Sequence, residues 1–126
     1  MGTTMTKAFN ELTPEERYII RDKGTEPAFT GQYTDHFESG VYHCKQCGTA
    51  VYPSQSKFAS HCGWSSFDDE IDGAVRRERD ADGRRIEILC AHCDGHLGHV
   101  FEGERYTEKN LRHCVNSLAM TFTPGD

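Results

Sequence analysis

Four of the chain's six cysteines fall into two Cys-x-x-Cys pairs, Cys44-Lys45-Gln46-Cys47 and Cys90-Ala91-His92-Cys93. No other feature restricts the fold as much. One short turn can present two thiolates to an ion, and two such turns complete a tetrahedral shell of sulfur. The 42 residues between the pairs exceed the usual zinc-ribbon gap, so the turns are expected on separate hairpins. Zinc is the expected metal, one ion per chain. Iron in the same four-thiolate geometry is the alternative that residue type leaves open. A shell of four thiolates has no position for water or substrate, so the role expected of the ion is structural. The plainer alternative is four buried thiols or one redox-active pair. A 126-residue chain with 36% apolar residues can bury a single modest core, and a structural metal would help to hold it together.

Charge narrows the partners. A net charge of −6 argues against a nucleic-acid footprint, which needs clustered Lys and Arg. The basic run Arg76-Arg77 and Arg84-Arg85 is interleaved with Glu78, Asp80, Asp82 and Glu87, as in a solvated hairpin. No apolar stretch approaches the ~20 residues that span a bilayer, so no membrane partner is expected. Met1 to Thr6 lacks the charged and apolar regions of a signal peptide and fits only the loose myristoylation pattern. The expected setting is therefore cytoplasmic, with cysteines kept as thiols for metal or redox chemistry.

Along the chain, residues 1–10 are expected as a flexible tail and 11–124 as a single domain. Thr13-Pro14-Glu15-Glu16 carries a capping box and predicts a helix running to about Lys23, with Gly24 as its stop. The remainder reads as strands. Val41 to His43 leads into the first cysteine pair, and Ala50 to Tyr52 leaves it. Ala74–Arg79 and Arg84–Leu89 flank Ala81-Asp82-Gly83, a hairpin signal. Asn110–Thr123 alternates as a final strand. The fold class expected is mainly β: a small zinc-stabilised antiparallel domain with an N-terminal helix.

Cys62 and Cys114 are left over. On a strand, Arg112, Cys114 and Asn116 share a face, and a guanidinium beside a thiol favours the nucleophilic thiolate. A lone cysteine is also commonly just a small buried hydrophobe. In Gly95 to Phe101, His96 and His99 can aim two imidazoles at one point, suited to proton transfer near neutral pH. Surface or structural histidines are equally compatible with that stretch. Trp64, the only tryptophan, stands two residues from Cys62 and is either core or a pocket wall.

The segments "KFASHCGWSSF", "CDGHLGHVF" and "RHCVNS" occur in this order around the cysteine pairs, after "GTEPAFTGQY". Together they resemble the peptide-methionine (R)-S-oxide reductase (MsrB) family over about residues 12–123. Departures from that pattern are Ser65 in place of proline, Gly95 in place of alanine and His113 in place of an aromatic residue. The resemblance implies a β-tent-like fold and reduction of methionine (R)-sulfoxide in oxidised proteins. It implies Cys114 as nucleophile, passing through a sulfenic acid, and Cys62 as the resolving thiol that forms a disulfide with it. Thioredoxin or a similar dithiol would then restore both thiols. His99, His96 and Asn116 match positions that bind and polarise the sulfoxide oxygen, with His99 the acid. Arg112 would support the thiolate, and Trp64 would pack on the substrate's S-methyl group. A monomer is expected. Two other classes stand beside this one: a non-catalytic zinc-ribbon-like interaction module, and a Cys-His hydrolase using Cys114 and His99.

Overall fold

The computed structural model describes residues 9–79, 83 and 85–125. Residues 1–8 of the expected tail, and Ala81 and Asp82 of the expected hairpin turn, lie outside the described residues. The described residues form one helix, α1 (Pro14–Ile20), followed by nine strands. These are β1 (Gly40–Cys44), β2 (Ala50–Pro53), β3 (Lys57–Phe58), β4 (Ser65–Phe67), β5 (Val75–Arg79), β6 (Ile86–Cys90), β7 (His96–Glu102), β8 (Leu111–Val115) and β9 (Met120–Pro124). All pairings are antiparallel. A three-stranded sheet has the order β9-β1-β2, and a six-stranded sheet the order β3-β4-β8-β7-β6-β5.

The capping box forms as the sequence predicts. Thr13 Oγ1 accepts from the Glu16 N–H at 3.1 Å, and Glu16 Oε1 accepts from the Thr13 N–H at 2.8 Å. The far end differs. The helix stops at Ile20 rather than near Lys23. The left-handed residue is Lys23, at φ 60°, not Gly24. Gly24 instead supplies room: a Cβ there would stand 2.1 Å from the Tyr18 ring. Ile19 and Ile20 anchor the helix in the core, at 1% and 2% exposure.

The two cysteine pairs do come from separate hairpins. Cys44 and Cys47 sit at the β1–β2 turn, and Cys90 and Cys93 at the β6–β7 turn. Each turn is closed the same way: the Gly48 N–H donates to Cys44 O at 2.8 Å, and the Asp94 N–H to Cys90 O at 2.8 Å. One turn belongs to each sheet, so an ion held by all four thiols would tie the sheets together. The core lies between those sheets. Tyr52 of the small sheet stacks on Phe67 of the large one with centroids 4.3 Å apart, and Tyr42 meets Phe67 edge-on at 5.2 Å. Each such pair adds about 0.5–1.5 kcal/mol beyond the area it buries.

The expected last strand is two strands. Asn110–Thr123 breaks at a 3-10 turn over Ser117–Ala119, and its halves lie in different sheets. Asn116 causes the break. Its backbone N–H and its Nδ2 both donate to Leu97 O, at 3.0 Å each, and its C=O accepts from the Ala119 N–H at 3.0 Å. The ladder therefore ends at Val115, and β9 sets off again to pair with β1.

Candidate active site

A row of residues crosses the large sheet. His99 on β7 stands opposite Cys114 on β8, and Cys114 stands opposite Ser66 on β4. Directly opposed residues on antiparallel strands share a face, so these three side chains point the same way. Val100, His113 and Phe67 form the next row, on the other face, which packs into the core. The placement of Cys114 on the outer side and His113 on the core side follows from strand alternation alone.

The two histidines of β7 need more than alternation. His96 and His99 are an odd number of residues apart, so a regular strand would aim them at opposite faces. A register shift between Ile88 and Leu89 leaves Leu97 as the extra residue, with Leu89 opposite His96 and Glu87 opposite His99. That bulge restores both rings to one side, edge-on with centroids 5.4 Å apart. Gly98 between them admits β8: a Cβ there would lie 1.9 Å from Cys114 O.

Above the row is a pocket of ≈ 230 Å³. That is below the roughly 300–1,000 Å³ of a site for a drug-sized ligand, and it admits one side chain. Six of the residues singled out in the sequence line it: Cys62, Trp64, His99, Arg112, Cys114 and Asn116. His96 is not among the lining residues. It is 1% exposed behind His99, with Nδ1 2.8 Å from Glu87 Oε2.

The two leftover thiols both line the pocket, and each shifts the titration of the other. Cys62 Sγ also lies 3.5 Å from Ser66 Oγ and 3.6 Å from Trp64 O. The neighbouring Cys114 thiol brings the Cys62 thiol down to about 4, against burial and with help from the Ser60 and Ser66 hydroxyls. Cys114 is raised by the neighbouring Cys62 thiol, then by burial, with Arg112 pulling the other way. The two thiols thus share one negative charge between them. Arg112 favours the Cys114 thiolate, as expected of a guanidinium beside a thiol, while a second thiol shares the charge and Glu104 shares the guanidinium. Its Nε and Nη2 donate to Glu104 at 2.7 and 3.1 Å, and its Cζ lies 4.6 Å from the Phe101 ring centroid.

Trp64 and Asn116 are held by one residue that the sequence reading did not assign a role. The Trp64 Nε1–H donates to Glu26 O at 2.9 Å, and the Glu26 N–H donates to Asn116 Oδ1 at 3.0 Å. The buried Glu26 carboxylate in turn accepts from the Leu118 N–H at 2.9 Å. Thr25, Arg85, Gly98 and Phe101 also line the pocket and were not singled out as site residues. For Thr25 and Glu26 a signal existed: both lie in "GTEPAFTGQY". Gly98 and Phe101 lie in "CDGHLGHVF", while nothing local marked Arg85.

Cys44, Cys47, Cys90 and Cys93 place their four Sγ atoms within 4.8 Å of one another, with Cys44–Cys93 at 3.6 Å and Cys47–Cys90 at 3.5 Å. A tetrahedron with metal–sulfur bonds of about 2.3 Å separates its sulfurs by about 3.8 Å. The cluster fits a metal ion. The Gln46 Nε2–H donates to Cys93 Sγ at 3.3 Å, as a partner suited to a thiolate.

The SelR domain matches residues 12–124. The chain belongs to that family. It is 54% identical over 133 residues to the chloroplastic peptide methionine sulfoxide reductase B2 of Arabidopsis thaliana, covering 98% of this chain and 66% of that protein. It is 52% identical over 116 residues to B8 of the same plant, covering 91% of this chain and 81% of the relative. Reductase B5 of Oryza sativa subsp. japonica is 53% identical over 114 residues, covering 90% and 84% respectively. The resemblance read from the motifs is thus a family relationship over nearly the whole chain. Among the described residues no helix is long and apolar enough to cross a membrane.

Proposed function

We propose that the chain reduces methionine (R)-sulfoxide to methionine by a two-thiol cycle at the pocket. The observation that carries this is the presence of Cys62 and Cys114 at one pocket, with His99 opposite Cys114 in register. An interaction module has no need of two mutually coupled thiols in a cleft, and a Cys-His hydrolase would leave Cys62 idle.

In the reacting form Cys114 carries the pair's negative charge and Cys62 its proton. The Cys114 thiolate attacks the sulfoxide sulfur, a soft centre suited to a thiolate. With one proton added to the departing oxygen, the net products are methionine and a Cys114 sulfenic acid. His99 is the acid that supplies that proton. Trp64 packs on the S-methyl group, so the placement of methyl and oxygen selects the R epimer. The remaining Asn116 N–H is directed at the oxygen. Cys62 then attacks the sulfenic sulfur, expelling the oxygen as water and closing a disulfide. A dithiol such as thioredoxin exchanges with the disulfide and is itself oxidised.

The four cluster thiols hold zinc, which keeps the sheets together and takes no part in these steps. Relatives named as peptide reductases favour a methionine sulfoxide carried in a protein chain. One relative is chloroplastic; we place this chain in the cytoplasm, as a monomer, where a dithiol reductant is supplied. The test is incubation with separated R and S epimers and dithiothreitol. Loss of R alone is expected. Loss of neither would end the reductase reading, and loss of S alone would end its stereochemistry.

A further inference from the structure

Glu87 on β6 has no part in the cycle above, yet it lies in the same row. It stands opposite His99, which stands opposite Cys114, so carboxylate, imidazole and thiol share one face across three neighbouring strands. The residue is 3% exposed. Burying a carboxylate is costly unless it is paired, and an apolar side chain would fill such a place more cheaply. Both of its oxygens are engaged. Oε1 accepts from Lys23 Nζ at 3.2 Å, and Oε2 meets His96 Nδ1 at 2.8 Å.

We infer that Glu87, held by Lys23, is a positioning residue of the reaction: it fixes the tautomer of His96 and sets the pH range in which His99 can deliver a proton to the pocket. The inference rests on the reading of His99 as the acid. An ionised carboxylate only accepts, so its bond to Nδ1 puts the His96 proton there and leaves Nε2 with the lone pair. That Nε2 is buried without a partner among the described residues, and the ring stands edge-on to His99. A protonated His99 has the Glu87 carboxylate opposite it in register, and that negative charge favours its charged form. Burial pulls His96 below its ordinary value; the Glu87 hydrogen bond opposes that, while the His99 and Lys23 charges add to it. The charged and titratable groups around the imidazole pair are Glu87 from β6, Lys23 from beyond α1, Arg112 and Cys114 from β8, and Cys62 and Arg85 at the pocket.

Carboxylate and ammonium act on the imidazoles with opposite sign, and this gives a test that a merely structural role would not pass. The measurement is the single-turnover rate of methionine formation from the R epimer, without reductant, as a function of pH. Glu87→Gln keeps the shape and removes the charge. It should move the alkaline limb, where the acid form is lost, to lower pH by about 1 unit. Lys23→Met should move the same limb to higher pH, by only about 0.3 units, because Lys23 is 57% exposed and screened. Limbs that stay in place, or that move in the same direction, would overturn the inference. If Glu87→Gln fails to fold, Lys23→Met decides alone: no upward movement contradicts it. A wild type that leaves the R epimer untouched would instead sink the reductase reading itself, so the two failures are distinguishable.

Discussion

The chain uses cysteine in two places with opposite surroundings. At the cluster, each sulfur faces other sulfurs and the backbone of a tight turn, with Gln46 and Thr49 as neighbours. At the pocket, Cys62 and Cys114 face each other, serine hydroxyls and an opening lined by His99, Trp64 and Arg112. The first arrangement offers four donors to one ion and nothing to a substrate. The second holds one mobile charge beside a space for a side chain. The residue type is the same, and the surroundings decide whether it fastens the fold or reacts.

The comparison is easiest to break at the cluster. Cys44→Ser or Cys93→Ser should release metal and lower the melting temperature sharply, because binding of structural zinc is folding free energy on the order of 10 kcal/mol. Stoichiometric metal analysis beside a thermal melt checks it. A variant that loses its metal and melts as the wild type does would show that the cluster does not hold the sheets together.

At the pocket the effect should fall on rate. His99→Ala should slow single-turnover chemistry by about 10²–10⁴-fold with little change in melting temperature. A rise in KM alone would make His99 a binding group, and the comparison would lose its reactive side.

His113 sharpens the contrast between the faces of β8. Burial, with the Arg77 charge adding, brings its imidazole down to about 4 from an ordinary value of 6.5. The folded state keeps it neutral while the unfolded state takes up a proton below about 6.5. Its contribution is therefore complete above that pH and is lost as pH falls toward 4, by up to about 3 kcal/mol. Denaturant melts between pH 7 and pH 4 should show a shallower loss for His113→Phe. An equal slope in both proteins would remove His113 as the cause.

The smallest expected effect is at Ser65, where the sequence departs from the family pattern. Its hydroxyl is fully buried and has no hydrogen-bond partner among the described residues. Ser65→Ala should stabilise by about 1 kcal/mol, visible as a higher denaturation midpoint. Destabilisation would mean that the hydroxyl is satisfied.

These residues also show what the sequence could carry. The cysteine pairs were legible because a ligand spacing is local, and so was the capping box at Thr13 and Glu16. The strand face of Cys114 was legible from alternation. The meeting of His96 and His99 on one face was expected, but its cause was not visible, because the bulge at Leu97 is set by pairing with β6. The break at Asn116 escaped for a similar reason. Its amide is claimed by Glu26, 90 residues away, and by Leu97, neither of which a local pattern can announce. The sharing of charge between Cys62 and Cys114 likewise depends on residues 52 positions apart meeting at the pocket, whereas the neighbouring Arg112 was in plain view.

The central claim, that the two leftover thiols form the reactive pair and the other four do not, is tested by one turnover without reductant. Wild type should release about one equivalent of methionine from the R epimer and lose two protons in mass, with peptide mapping placing a disulfide between Cys62 and Cys114. Cys114→Ser should release none, and Cys62→Ser about one equivalent with no disulfide. A disulfide that involves Cys44, Cys47, Cys90 or Cys93, or methionine released by Cys114→Ser, would contradict the account.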